Sequence, residues 1–190
     1  MKYWLGLMLV GSSLLIILFT YLPVLKHEAE YQIRQIAQTP TTQEITPVSR
    51  EFGIVIPKLS INSSVIKNVD PANSKIYQTA LTQGVAHAQG SSLPGEKGNI
   101  FIFAHSSVNF LEALKYNSIF YLLPKLDIND PVMLYYRGNQ FKYLVTEKKI
   151  INPDNMNLVT DKSSNTLVLM TCYPPGTNLK RYIIIAKPEE

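Results

Sequence analysis

Cysteine is almost absent from this chain: Cys172 is the only thiol in 190 residues. An intramolecular disulfide framework is therefore excluded. The lone thiol is a reactive group, an intermolecular bridge, or a buried and inert side chain. Strong net charge is also missing. A formal value of +4 is too mild to argue for nucleic acid as a partner. No internal repeat is present.

Charged residues are lacking altogether from Leu5 to Leu22. As a helix this stretch spans roughly 27 Å, close to a bilayer core of about 30 Å. Tyr3, Trp4 and Tyr21 stand where interfacial aromatics belong. A small-x-small cleavage site is lacking too, because Thr20-Tyr21-Leu22-Pro23 offers none, so residues 1–25 read as an uncleaved transmembrane anchor and not as a signal peptide. Lys2 on one side and Lys26, His27, Glu28, Glu30 and Arg34 on the other leave the positive-inside rule nearly balanced. A single N-terminal anchor followed by a large domain is expected to export that domain.

The length fits one folded domain. Residues 26–50 read as a juxtamembrane segment and spacer, Thr- and Pro-rich from Gln38 to Pro47. The folded domain is expected over 51–190. Short β-prone runs are predicted at Gly53–Leu59, Ser63–Val69, Gly84–Ala88, Ile100–Ala104, Val132–Tyr136, Phe141–Ile151, Thr166–Cys172 and Arg181–Ala186. Gly138-Asn139 is expected to turn the clearest hairpin. Ile76–Leu81 reads as short helix or irregular, Asn109–Leu126 as mixed, and Asn152–Asn165 as a loop. About eight strands with few helices point to an all-β barrel or sandwich.

The chemistry gathers at the last two strands. Pro174-Pro175-Gly176 must break any regular element between Cys172 and Arg181. An antiparallel pair then sets the thiol and the guanidinium at one rim, about 5 Å apart on neighbouring strands. A thiol beside a fixed positive charge is a setting for nucleophilic catalysis. Of three histidines, His27 reads as a solvated residue beside the apolar segment and His87 as structural. His105 leaves an apolar strand just before Ser106-Ser107. A histidine exchanges protons with a thiol or a leaving amine, and an arginine holds an oxyanion with planar donors. Together these are the parts of acyl transfer through a thioester.

The segments Leu169-Met170-Thr171-Cys172, Pro174-x-Gly176, Arg181 and Gly98-Asn99-Ile-Phe-Ile-Phe-Ala-His105, with Leu93-Pro94-Gly95-Glu96 before them, resemble the sortase family of membrane-anchored cysteine transpeptidases. The resemblance covers about 51–187. It implies an eight-stranded sortase-type β-barrel in which Cys172 attacks a Leu-Pro-x-Thr-Gly-like sorting signal. His105 is then the general acid/base, and Arg181 binds the threonyl carbonyl or the oxyanion. Thr171 is expected to shape the oxyanion site, and Ala104, Ser106 and Val168 to touch substrate. The loop 152–165 is where the signal is expected to dock.

The implied partners are surface proteins with a C-terminal sorting signal, an amine acceptor (a wall precursor or a pilin lysine) and the lipid bilayer. No cofactor is implied. Val168 replaces the first threonine of the family's Thr-Leu-x-Thr-Cys. Glu96 is the only acidic residue in the loop before His105, which argues against a calcium site and leaves no metal expected. No apolar segment follows Lys187 and no inhibitory lid precedes the first strand. Two other readings use the same residues: another membrane-tethered cysteine wall peptidase, and a non-enzymatic anchored β-domain. Papain-like enzymes place cysteine before histidine, and L,D-transpeptidases carry a Ser-His-Gly-Cys-type cluster that is absent here.

Overall fold

The computed structural model describes residues 45–106, 119–154 and 163–189, with isolated residues before 45. Eight strands close into a barrel: β1 (Phe52–Ile56), β2 (Ile61–Val69), β3 (Val85–Ala88), β4 (Ile100–Phe103), β5 (Pro131–Tyr136), β6 (Asn139–Ile151), β7 (Leu167–Tyr173) and β8 (Lys180–Pro188). Around the barrel they run β1-β2-β3-β4-β7-β8-β6-β5. The eight expected strands are all present, and the all-β barrel, not the sandwich, is the fold observed. The anchor falls mostly outside the described residues. Among those that are described, no helix is long and apolar enough to cross a membrane.

Local chemistry explains where the elements begin and end. Ile100-Phe-Ile-Phe103 is buried on both faces, as a continuous apolar run in the middle of a sheet must be. The first strand stops at Ile56 and does not run to Leu59. Pro57 cannot donate to the ladder, and Pro57–Leu59 form a 3-10 turn that Ser60 closes by donating its N–H to the Pro57 carbonyl (3.0 Å). The β5–β6 turn is Arg137-Gly138 and not Gly138-Asn139. Both turn residues have positive φ (49° and 82°), and Asn139 already pairs with Tyr136. This geometry matches the right-handed twist of a two-residue hairpin.

Two strand pairs in the barrel are parallel, β2 with β3 and β4 with β7. A parallel pair needs a crossover. Between β2 and β3 it holds one helix, α1 (Ser74–Leu81), started by Asn73, whose side-chain oxygen accepts from the Ile76 N–H (3.2 Å). The helical alternative for Ile76–Leu81 is thus the one adopted. The β4–β7 register runs Ile100↔Leu167 to Phe103↔Met170. A buried clasp sets it at the start of both strands: Asn99 Oδ1 accepts from Ser164 Oγ (2.8 Å) and Thr166 Oγ1 (2.6 Å).

His87 is structural. It is 2 % exposed, accepts the Asn68 N–H on Nδ1 (3.3 Å) and donates from Nε2 to the Ser92 carbonyl (2.9 Å). Burial pushes its pKa below 6.5; the Ser92 carbonyl opposes the shift and Lys67 adds to it.

Candidate active site

Cys172 and Arg181 are direct cross-strand partners in the antiparallel β7–β8 pair. Residues facing each other in such a pair put their side chains on the same face of the sheet. Each strand extends one residue further than expected, to Tyr173 and from Lys180, so thiol and guanidinium sit one pair inside the turn end of the hairpin. The turn between them carries a cis Tyr173–Pro174 peptide and Gly176 at φ 80°.

His105 reaches the same rim from the other side of β7. The β4–β7 ladder continues past its last paired residues, because the Ala104 N–H donates to the Met170 carbonyl (3.2 Å) and Thr171 Oγ1 donates to the Ala104 carbonyl (3.0 Å). His105 therefore leaves β4 level with Cys172. Along the rim the order is His105, Cys172, Arg181, on three neighbouring strands with about 4.8 Å between each.

All three line one cleft of about 230 Å³. Phe103, Met170 and Pro153 line it as well, Pro153 coming two residues after Ile151, the β6 partner of Arg181. Pro71, Tyr77 and Leu81 close the opposite side. Tyr77 stands edge-on to His105 (ring centroids 6.5 Å) and to Phe103 (6.4 Å). Those three residues, with Pro153, went unnoticed in the sequence. Asp70-Pro71 and the Asn73 cap signal a turn followed by a helix. Nothing local signals that the helix leans on the end of a strand more than twenty residues away.

Arg181 is held by its own hairpin: Nη1 donates to the carbonyls of Asn178 (3.1 Å) and Lys180 (3.0 Å). Among the described residues both bonds come from Nη1, so Nε and Nη2 remain as donors of a guanidinium already fixed in direction.

The other expected contacts are distributed unevenly. Ala104 lines the cleft. Thr171 also lines it, but its hydroxyl has a single proton and donates that to Ala104. It ties β7 to β4 instead of serving an oxyanion. Val168 is 0 % exposed and Ser106 is 1 % exposed, and neither lines the cleft. A side chain without accessible surface offers a peptide nothing, so the expectation of substrate contact is withdrawn for both. Part of the loop expected to dock the signal, 155–162, lies outside the described residues. So does the part 109–118 of the segment Asn109–Leu126.

Comparison with known proteins bears on the family and the fold. The model of the sortase domain matches residues 54–189. The chain belongs to the sortase family. It is 26 % identical over 159 residues to Sortase A of Bacillus anthracis, covering 84 % of this chain and 71 % of that protein. To Sortase D of Bacillus subtilis (strain 168) it is 27 % identical over 136 residues, covering 70 % of this chain and 60 % of that one. Among solved structures, a sortase C of Clostridium perfringens with the C-terminal cell wall sorting motif superimposes at a TM-score of 0.60. It has 22 % identity and 88 % of each chain covered, a likeness of fold alone. Sortases are cysteine transpeptidases of the bacterial cell surface that act on proteins bearing sorting signals. Family and barrel together give this chain that enzyme class.

Proposed function

We propose that this sortase cleaves a Leu-Pro-x-Thr-Gly-like sorting signal at the threonyl carbonyl, holds the acyl part as a thioester on Cys172, and passes it to an amine. The observation that carries the reading is the direct Cys172–Arg181 pair, with His105 on the strand flanking β7. In the first half-reaction the Cys172 thiolate attacks the carbonyl carbon. The oxyanion forms beside β8, within reach of the Arg181 Nε and Nη2 donors. As the C–N bond breaks, the His105 imidazolium gives its proton to the leaving amine.

Residues 1–25 act as a single-pass anchor that leaves the domain outside the cell. Tyr3, Trp4, Met8, Val10, Leu15 and Leu22 are all half or more exposed, and apolar side chains of that size suit a lipid surround better than water.

The test incubates the protein with a quenched Leu-Pro-x-Thr-Gly-type peptide library and an amine. Wild type is expected to cleave a member and form the amide product, and Cys172→Ala to do neither. A thiol inert to alkylating reagents, with no library member cleaved, would refute the reading. For the anchor, the full chain is expected to stay with membranes through alkaline carbonate washing, and a chain lacking 1–25 to be released. Release of the full chain as well would rule the anchor out.

A further inference from the structure

The order of groups along the rim fixes the two sides of the cleft. α1 packs on β2 and β3, and β3 is the neighbour of β4. Pro153 follows β6, whose Ile151 pairs with Arg181. From one end to the other the cleft therefore runs from the α1 wall through His105, Cys172 and Arg181 to Pro153. The acyl carbonyl faces Arg181, and the proton for the departing amine comes from His105. That amine must then lie on the His105 side. By microscopic reversibility the incoming amine takes the same place, against α1.

The α1 wall has a definite chemistry. Pro71, Tyr77 and Leu81 carry no charge, and Phe103 and Met170 continue the apolar surface beneath them. The only ionisable groups among the described cleft residues are Tyr77, His105, Cys172 and Arg181. Arg181 lies beyond the thiol and its Nη1 is spent on two carbonyls. Burial of an amine against such a wall disfavours the ammonium and favours the neutral nucleophile that the reaction needs. A carboxylate beside the amine would lose its water there and find no cation in return.

We propose that the acceptor amine binds on the α1 side of the cleft, against Pro71, Tyr77 and Leu81. This uncharged wall selects amines that carry no carboxylate next to the nucleophilic nitrogen. The inference rests on the transpeptidase reading above. In the second half-reaction the neutral amine attacks the thioester carbon, the C–N bond forms, and the C–S bond breaks with its electrons returning to Cys172 Sγ. His105, left neutral by the first half, takes up the amine's proton. Thiolate and imidazolium are thereby restored.

The test uses the full chain in detergent micelles and the partition of the acyl-enzyme between hydrolysis and aminolysis. Glycinamide and glycine serve as probes, amines flanked by an amide and by a carboxylate. Because both products come from one thioester, their ratio is independent of the amount of folded or acylated enzyme. Wild type is expected to favour glycinamide. Tyr77→Ala is expected to lower the transfer-to-hydrolysis ratio about fivefold, with Tyr77→Phe restoring it. Tyr77→Arg is expected to raise the glycine-to-glycinamide ratio about tenfold over wild type, a comparison in which the basicities of the two amines cancel. Peptide cleavage with unchanged ratios in the Ala and Arg variants would place the acceptor elsewhere and overturn the proposal alone. Absence of cleavage by wild type would instead bring down the transpeptidase reading beneath it.

Discussion

At the scale of single residues, geometry and not charge alone distinguishes Arg181. Its Nη1 is anchored on two backbone carbonyls, which aims the remaining donors of a rigid plane. A lysine keeps the charge but has one flexible ammonium and no fork. Arg181→Lys is expected to lower kcat/KM roughly 100-fold, the order of one lost oxyanion donor, with the melting temperature nearly unchanged. Near-normal turnover in a peptide-cleavage assay would contradict the assignment.

His87 makes the opposite case, a histidine used for structure. Its Nδ1 accepts the Asn68 N–H, and a protonated ring has no acceptor to offer. Burial holds its folded-state pKa below 6.5, so the unfolded chain takes the proton first. Its contribution is complete above about pH 6.5 and is lost as the pH falls below that, by at most about 1.4 kcal/mol per unit until the folded form titrates. The wild-type melting temperature should therefore fall between pH 7.5 and 5.5, and His87→Gln should flatten that fall; equal slopes would exclude the residue as the cause.

The Cys172–Arg181 pairing was legible in the sequence because one short turn joins the two strands and its Pro-Pro-Gly marks the bend. The burial of Val168 and the commitment of the Thr171 hydroxyl were not legible. Both depend on β4, which lies more than sixty residues earlier in the chain.

At the scale of elements, the β4–β7 pair carries the site. Nothing in the chemistry of Ile-Phe-Ile-Phe or Leu-Val-Leu-Met sets a parallel register, since an apolar strand slides against another with little penalty except for exchanging faces. The polar clasp supplies the missing information. Asn99 is 2 % exposed and gathers two hydroxyl donors from the segment entering β7. Replacing it with alanine leaves Ser164 and Thr166 to find other acceptors, at about 1–3 kcal/mol. Asn99→Ala is expected to lower the melting temperature and to reduce kcat more than KM, because slippage at the start of the pair displaces His105 from Cys172 at its end. A stability loss with kcat intact would show that the register is held elsewhere. The strands themselves were readable from apolar runs between turn residues. The clasp was not, since Asn99 in sequence looks like one more polar loop residue after Gly98.

At the scale of the whole molecule, the division between spacer and domain is sharper in space than in the chain. Among the described residues, every member of the buried core lies between Phe52 and Ala186. The spacer was expected to end at 50, yet its last residues already belong to the fold. Asn62 on β2 donates to the Thr46 carbonyl (2.8 Å) and accepts the Val48 N–H (2.8 Å). Ser49 Oγ accepts the Phe52 N–H (3.2 Å), and the carbonyls of Arg50 and Glu51 accept from the Gly138 and Arg137 N–H groups of the β5–β6 turn (2.9 and 3.0 Å). This strap covers the outer side of β1 and holds a turn whose two residues both need positive φ. Composition could not reveal it, because Thr and Pro read as spacer whether or not a neighbouring asparagine captures their backbone. Two truncations separate the parts. A chain beginning at Thr41 keeps every one of these bonds and should melt within a degree or two of a chain beginning at Lys26, with the same rate of peptide cleavage. A chain beginning at Phe52 loses them all. At about 1 kcal/mol for each net bond, partly offset by the freedom the strap regains, it should be about 2 kcal/mol less stable in urea. Equal stability of the two truncations would mean that the strap only rests on the barrel, and that the boundary at 50 read from composition was the physical one.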